Sequence, residues 1–408
     1  MDRRRLLALG AASLSAAALP AAAADLSPLP NAPPPIGQAE RAARLAKAQR
    51  LMREQGLSAL LIEPGASLVY FTGVQWWRSE RLTAAVIPVE GEILVVTPFF
   101  EEPSVRETLA IPGEFRTWQE HEDPLKLVAG WLTEKKLASG AVGVEETVRF
   151  FAVDGLQKHL PGLTVRSGAS VVRACRMIKS SAEIALMQHA ADITVAAYRH
   201  TVPRIERGMT PGDIGKIMDG ATRALGGSPE FALILLGEAS AYPHGSGKPQ
   251  AVRDGEVVLM DCGCTFEGYQ SDISRTLVFG EASKRQRTVW DQMRRGQQIA
   301  FETAQLGVEA GRVDDAVRAY YASLGYGPDY RLPGTSHRTG HGIGLDGHEP
   351  INFVRGERTR LAPGMCLSNE PGIYIPGEFG IRLEDCIYMT TQGPKWFSQP
   401  PASIDRPV

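Results

Sequence analysis

Four carboxylates and one imidazole lie in apolar, glycine-rich segments of the second half of this 408-residue chain. Acidic residues in such surroundings constrain the fold strongly, because a carboxylate without a partner is costly to bury. If distant segments bring them into one pocket, their summed negative charge requires cations. The five residues are Asp261, Asp272, His341, Glu370 and Glu384.

The first two acids lie in a predicted antiparallel pair of strands. Residues 257–264 and 269–278 have the apolar composition of strands, and Gly268 lies in the short connection between them. Such a connection brings Asp261 and Asp272 to one patch of sheet. The sequence therefore predicts that one hairpin supplies two carboxylates.

The other three residues extend this set. Glu370 and Glu384 flank a return rich in glycine and proline, and His341 lies between two glycines that allow close backbone approach. Oxygen ligands with one imidazole favour Mn²⁺, and Co²⁺, Zn²⁺ or Fe²⁺ are also compatible. We predict two divalent metal ions here. The alternative is that each acid is an ordinary solvated surface group.

Composition limits the class of protein. The chain is 43% hydrophobic, its net charge is −2, and its isoelectric point is near 6.5. No basic run occurs beyond the N-terminus, so nucleic acid is not expected as a partner. Five cysteines without paired spacing do not form a disulfide framework, and we interpret Cys262, Cys264 and Cys386 as small buried hydrophobic residues.

The N-terminus has the three parts of an export signal. A head with Arg4 and Arg5 is followed by an alanine- and leucine-rich stretch and then by small residues. The paired arginines predict a twin-arginine-type signal over residues 1–24 and a periplasmic or secreted protein. The alternative is an uncleaved membrane anchor, but the apolar stretch is shorter than the roughly 20 residues that a spanning helix needs. Residues 25–37 form a predicted proline-rich spacer.

The rest of the chain divides into two predicted domains. Alternating strand and helix patterns indicate an α/β domain over residues 38–172, and helices grouped apart from antiparallel strands indicate an α+β domain over residues 173–408. Within the first domain we predict a helix at 38–56, strands at 59–62 and 68–71, and a hairpin formed by residues 84–88 and 93–96. In the second, helices are predicted near 284–306 and 313–324.

Four motifs in the second domain resemble the signatures of metallopeptidase family M24, which includes methionine aminopeptidases, aminopeptidase P, prolidase and the non-metal creatinases. They are Asp-x10-Asp at 261–272, Gly-His-Gly-Ile-Gly-Leu-x-x-His-Glu at 340–349, Asn-Glu-Pro-Gly at 369–372 and Arg-Leu-Glu-Asp at 382–385. The resemblance implies an α/β creatinase-like N-terminal domain followed by an α+β pita-bread catalytic domain. It also implies a homodimer.

The resemblance assigns expected roles to the five residues. Asp261 would bind the first metal, Asp272 and Glu384 would bridge both metals, and His341 and Glu370 would bind the second. Water held between the ions would attack the substrate, and Glu370 would take its proton.

The resemblance also implies roles for neighbouring residues. His348 would stabilise the oxyanion and His244 would contact the substrate backbone, both as catalytic residues. His337 and Arg382 would belong to the substrate-binding set, with Arg382 also bracing the carboxylates. The Trp76-Trp77 pair would lie near a dimer partner's active site, although an ordinary aromatic pair is the alternative.

These expectations combine into one predicted function. The chain would be an exported two-metal exopeptidase that hydrolyses Xaa-Pro bonds in dipeptides or at the N-termini of peptides. Its substrate would carry proline at the second position. One alternative is a family member that cleaves a C–N or C–S bond in a small metabolite, and another is a binding protein with a vestigial site.

Overall fold

The computed structural model describes residues 25–408, so the predicted signal over residues 1–24 lies outside the described residues. Within the part that is described, no helix has both the length and the apolar character needed to cross a membrane. None of the five cysteines forms a disulfide, as predicted, and all five are buried, including Cys262, Cys264 and Cys386, for which burial is predicted.

The first domain is a six-stranded mixed sheet with helices on both faces. The strand order is β4-β3-β2-β1-β5-β6, with β2 antiparallel to both of its neighbours and the remaining pairs parallel. Its strands are β1 (Leu57–Ile62), β2 (Ala84–Pro88), β3 (Ile93–Pro98), β4 (Gly113–Trp118), β5 (Ala141–Val144) and β6 (Thr164–Ser167). Its helices are α1 (Gln38–Gln55), α2 (Ala66–Thr72), α3 (Glu102–Thr108), α4 (Pro124–Glu134), α5 (Phe150–His159) and α6 (Ala169–Arg176).

Strand β1 shows why this sheet is covered on both sides. Leu60 and Ile62 belong to one hydrophobic cluster, whereas Ala59 and Leu61 belong to another. Successive strand side chains point to opposite faces of the sheet. A strand that is apolar at every position must therefore be covered by other elements on both faces.

Most sequence predictions for this domain are confirmed. Helix α1 ends at Gly56, whose φ of 67° is the left-handed conformation that glycine favours, and β2 and β3 form the predicted hairpin. The predicted strand at 68–71 is wrong, because these residues form α2. A short apolar run does not distinguish a strand from a buried helix, and here Gly65 and Gly73 delimit a single short helix.

The second domain contains four long helices and three antiparallel sheets. The helices are α7 (Ser181–Thr201), α8 (Pro211–Ala224), α9 (Lys284–Thr303) and α10 (Gly311–Ser323). The strands are β7 (Ser228–Leu236), β8 (Val257–Phe266), β9 (Tyr269–Gln270), β10 (Ile273–Val278), β11 (Gly340–Gly342), β12 (Glu349–Phe353), β13 (Cys366–Asn369), β14 (Gly372–Ile375), β15 (Phe379–Arg382), β16 (Asp385–Thr390) and β17 (Gly393–Trp396).

Helices α7 and α8 begin at side-chain caps that the sequence supplies. Ser180 with Glu183, and Thr210 with Asp213, form reciprocal capping boxes at α7 and α8. The sheets follow the orders β10-β8-β7 and β12-β11-β13-β16-β17, with β9 paired to β8 and a separate β14-β15 pair. Together the two domains confirm the predicted fold class.

Charged and hydroxyl side chains join the two domains. Arg44 of α1 donates 3.0 Å to the Tyr269 hydroxyl and lies 3.3 Å from the Glu183 carboxylate of α7. Ser180 donates to Glu40 of α1 at 2.7 Å. The predicted domain boundary between residues 172 and 173 falls within α6 and stays a prediction.

Candidate active site

Strand register places the first two acids on the surface of one sheet. Asp261 of β8 lies opposite Ser274 of β10, and Asp272 immediately precedes β10. Met260 and Cys262 point into the core beneath the sheet. Asp261 lies between them, so strand alternation directs its carboxylate to the other face.

The second pair of acids lies where two hairpins change sheets. Asn369 pairs with Asp385, and Gly372 pairs with Arg382, so Glu370 and Glu384 occupy the bend between the two sets of paired strands. The Glu384 amide donates to the Ser274 carbonyl at 3.1 Å, which joins this bend to β10. Two distant segments therefore converge as the sequence predicted.

His341 enters the cluster from β11. A Cβ at the neighbouring Gly340 would lie 2.1 Å from the Ser368 carbonyl oxygen, so only glycine permits this approach to β13. His341 Nδ1 lies 3.0 Å from the Gly342 carbonyl oxygen and must donate to it. In the neutral imidazole, Nε2 therefore presents its lone pair to the acids.

The ligand atoms lie close together. One atom each from Asp272, His341 and Glu384 falls within 4.8 Å of the others. His341 Nε2 is 3.2 Å from Glu370 Oε1 and 3.7 Å from Asp272 Oδ2. Ser274 Oγ is 3.0 Å from Asp261 and 2.9 Å from Glu384. All five predicted ligands are therefore in one cluster.

Burial makes this cluster difficult to ionise. Burial raises the pKa of Asp272 well above its usual value, and the negative charges of Asp261 and Glu370 raise it further. Burial raises the pKa of Glu384 similarly, with contributions from Asp272 and Glu370. Burial also disfavours ionisation of Glu370, but in the metal-free protein a protonated His341, through its hydrogen bond and its charge, holds the pKa of Glu370 well below the usual range.

Unsatisfied atoms show that the residues suit metal ions. Asp272 Oδ1 and Glu384 Oε1 are buried without a hydrogen-bond partner within the described residues. When His341 is neutral, its Nε2 lone pair faces two carboxylates across less than 4 Å. A divalent cation would give both the unpartnered oxygens and the lone pair a binding partner. An oxygen-rich set with one imidazole suits Mn²⁺ and related ions.

Arg382 is the guanidinium that braces this cluster. It donates to Asp261 Oδ2 at 2.6 Å, to Ser274 Oγ at 3.0 Å and to the Tyr374 hydroxyl at 3.0 Å. Its remaining contact is the Pro243 carbonyl oxygen at 3.2 Å. All three nitrogens are thus used within the protein, and its predicted membership of the substrate-binding set stays a prediction.

Tyr374 connects Arg382 to His337. His337 Nδ1 donates to the Arg338 carbonyl oxygen at 2.7 Å, so Nε2 accepts from the Tyr374 hydroxyl at 2.8 Å. Sequence reasoning missed both Ser274 and Tyr374. Ser274 had a usable signal, since it lies two residues after Asp272 and therefore on the same side of the strand.

His348 and His244 line the cleft above the metal ligands. This cleft has a volume of about 950 Å³ and contains all nine predicted site residues. The His348 ring centroid lies 4.1 Å from that of His341. Burial, together with the charges of His341 and Arg338, lowers the pKa of His348 to about 4. His348 is therefore neutral at neutral pH and retains one N–H donor.

A neighbouring cavity of about 610 Å³ shares His348 with this cleft. Trp76 and Trp77 line it as a stacked pair with centroids 4.6 Å apart, and Trp77 is exposed. The pair thus lies near the active site of its own chain. The predicted homodimer stays a prediction.

A buried carboxylate fixes the turn that carries His348. Glu349 Oε1 accepts from the Leu345 amide at 3.0 Å and lies 2.5 Å from Arg176 Nη2, while Oε2 accepts from Lys179 at 2.7 Å. Burial opposes its ionisation, but these two cations hold the pKa of Glu349 at about 2. Both cations belong to the segment that connects the domains.

Comparisons with known proteins cover both domains. The model for "Metallopeptidase family M24" matches residues 185–391, and that for "Creatinase/Prolidase N-terminal domain" matches residues 44–178. The probable dipeptidase PepE of Mycobacterium tuberculosis is 33% identical over 86% of this chain and 92% of its own length. The Xaa-Pro dipeptidase of Pyrococcus horikoshii is 28% identical over 86% of this chain and 95% of its own length.

A solved structure shows the same arrangement. Dipeptidase PepE from Mycobacterium ulcerans superimposes with a TM-score of 0.82 at 31% sequence identity, covering 91% of this chain and 98% of that protein. The likeness in sequence and in structure therefore extends through the whole two-domain unit.

The raised pKa values of Asp272 and Glu384 predict how pH affects the metal-free protein. In the unfolded chain both acids ionise near pH 4, whereas the fold favours their protonated forms. Their contribution to the free energy of unfolding is therefore full below about pH 4 and is lost as pH rises. Glu370 has the opposite shift, but its contribution is complete above about pH 5.

We expect the melting temperature of EDTA-treated protein to fall between about pH 5 and 8. Asp272→Asn should reduce this fall, whereas the same change at the partly exposed Asp154 should not. Added Mn²⁺ should raise the melting temperature more at the higher pH, since metal ligands must be deprotonated. An equal pH slope in the two variants would contradict this assignment.

Proposed function

The chain belongs to metallopeptidase family M24, and we propose that it hydrolyses Xaa-Pro bonds with the help of two divalent ions, for which Mn²⁺ is our first choice. One observation carries the proposal: Asp261, Asp272, His341, Glu370 and Glu384 converge on one buried cluster, with unsatisfied oxygens and a lone pair directed inward. The relative named Xaa-Pro dipeptidase supports the choice of bond.

When bound, a pair of divalent ions supplies Lewis-acid polarisation of the substrate carbonyl and lowers the pKa of bound water. The protein's own contribution begins with placement. Backbone pairing between β8 and β10 and between β13 and β16 holds Asp261 within a strand and Asp272, Glu370 and Glu384 directly beside strand ends. Such rigid supports preserve the geometry on which rate depends.

Glu370 is proposed to receive the proton of the attacking water. In the metal-free protein its pKa lies well below the usual range, because a protonated His341 and the charge of Arg382 outweigh the cost of burial. Bound cations would favour the ionised carboxylate in the same way. Ser368 Oγ donates to Glu370 Oε1 at 3.3 Å and orients it. An oriented, ionised carboxylate in the cleft is suited to act as a general base.

His348 is proposed to donate its N–H to the oxygen of the attacked carbonyl. The residue is neutral, is accessible from the cleft and is adjacent to His341, so its donor lies where negative charge would develop. His244 is proposed to contact the substrate backbone across the same cleft. The His337–Tyr374–Arg382 chain of hydrogen bonds would keep the wall of the cleft rigid.

A panel of peptides tests the proposed reaction. Metal-stripped protein should be inactive, and Mn²⁺ should restore release of the first residue from Ala-Pro but not from Ala-Ala. Co²⁺ and Zn²⁺ form parallel assays, and metal analysis should show close to two ions per chain. Full activity in protein shown to be metal-free, or equal rates on Ala-Pro and Ala-Ala, would overturn the proposal.

His348→Ala should lower kcat on Ala-Pro roughly a hundredfold, the usual cost of losing one oxyanion donor. The bound metal content should remain that of the wild type, because the predicted ligands are unchanged. His121→Ala, at an exposed site of the first domain, is the matched control and should have wild-type kinetics. A wild-type kcat for His348→Ala would remove the proposed role.

We propose export through the twin-arginine-type signal, on the basis of the sequence at residues 1–24. When the full chain is expressed in a Gram-negative host, the cleaved protein should appear in the periplasm with its N-terminus near Asp25. Replacing Arg4 and Arg5 with lysine should retain the chain in the cytoplasm at full length. Fractionation that finds the wild type in the cytoplasm or the membrane would contradict export.

A further inference from the structure

Two arginine side chains line the metal cleft, and they differ in what they bind. Arg382 is satisfied by Asp261, Ser274, Tyr374 and a backbone carbonyl. Among residues 25–408, the Arg338 guanidinium has neither a hydrogen bond nor an ion pair to any other side chain. Of the two cleft arginines, Arg338 is therefore the one whose guanidinium has no partner among the described residues.

Nearby acids do not neutralise Arg338. Asp346 also lines the cleft, but it pairs with Arg176 at 2.7 Å. Glu349 pairs with Lys179 and Arg176. Glu230 lies at the rim of the cleft and makes no ion pair with Arg338 within the described residues. A partly buried guanidinium without an anion has lost hydration that no protein group replaces, so an anionic ligand gains from binding there.

The position of Arg338 suits a particular anion. Arg338 lies three residues before His341 and lines the same cleft as His341 and His348. The proposed function places the scissile carbonyl at His348. In an Xaa-Pro dipeptide the proline carboxylate is three bonds from that carbonyl carbon, roughly 3–4 Å away.

We propose that Arg338 binds the free C-terminal carboxylate of an Xaa-Pro dipeptide and thereby selects dipeptides over longer peptides. This inference rests on the proposed function and adds a residue that discriminates dipeptides from longer peptides. A guanidinium offers a planar pair of N–H donors that matches the two oxygens of a carboxylate. A longer peptide presents one neutral carbonyl oxygen at the same place, and so forms a weaker contact.

The test compares Ala-Pro with its amide, Ala-Pro-NH2, which lacks only the negative charge. Using Mn²⁺-loaded full-length protein, we expect the wild type to have the higher kcat/KM on Ala-Pro. Arg338→Met should lower the ratio of the two kcat/KM values about 10- to 100-fold, mainly through KM for Ala-Pro, as expected for hydrogen bonds to a charged group. Arg338→Lys should retain part of the ratio, because it keeps the charge but not the paired donors.

Arg331→Met is the matched control, since Arg331 is exposed on the same segment and does not line the cleft. It should leave the ratio at the wild-type value. An unchanged ratio in Arg338→Met, including an equal loss on both substrates, would overturn this inference while leaving Xaa-Pro hydrolysis intact. Failure of the wild type to cleave either substrate would instead overturn the proposed function, and this inference with it.

Discussion

The catalytic domain depends on negative charge that its own side chains do not balance. Four carboxylates share a buried cluster with one braced guanidinium, that of Arg382. In a medium less polar than water, neighbouring carboxylates repel one another strongly. The metal-free protein reduces this repulsion by favouring the protonated form of some of these carboxylates. The proposed cations would balance the remaining charge, so the free energy of metal binding would contribute to the free energy of folding.

Backbone pairing lets the fold tolerate this cost. Asp261 and Ser274 are fixed opposite each other by the β8–β10 register, and a slip of one residue would turn Asp261 into the core beneath the sheet. The Glu384 amide joins the second pair of hairpins to β10. Well-packed strands therefore supply the stability that opposes repulsion within the cluster.

Short motifs predicted most of the site because the chemistry restricts which residues serve as ligands. The five predicted ligands and His348 follow from acid, histidine and glycine patterns, and the structure places them in one cleft. Ser274 and Tyr374 were not predicted, because hydroxyl residues are common in strands. Only their tertiary contacts show that they belong to the site. The error at residues 68–71 has a similar origin, since a short apolar run fits strand and buried helix equally well.

The Glu349 carboxylate has an implication for how such proteins can be recombined. It fixes the turn beneath His348, yet the cations that hold it, Arg176 and Lys179, belong to the segment that connects the domains. A natural or engineered exchange of the N-terminal module would thus have to carry residues 176–179 along with the catalytic half. A crossover placed upstream of α6 would keep residues 176–179 with the Glu349 turn. One placed just before α7 would separate the turn from its counter-ions.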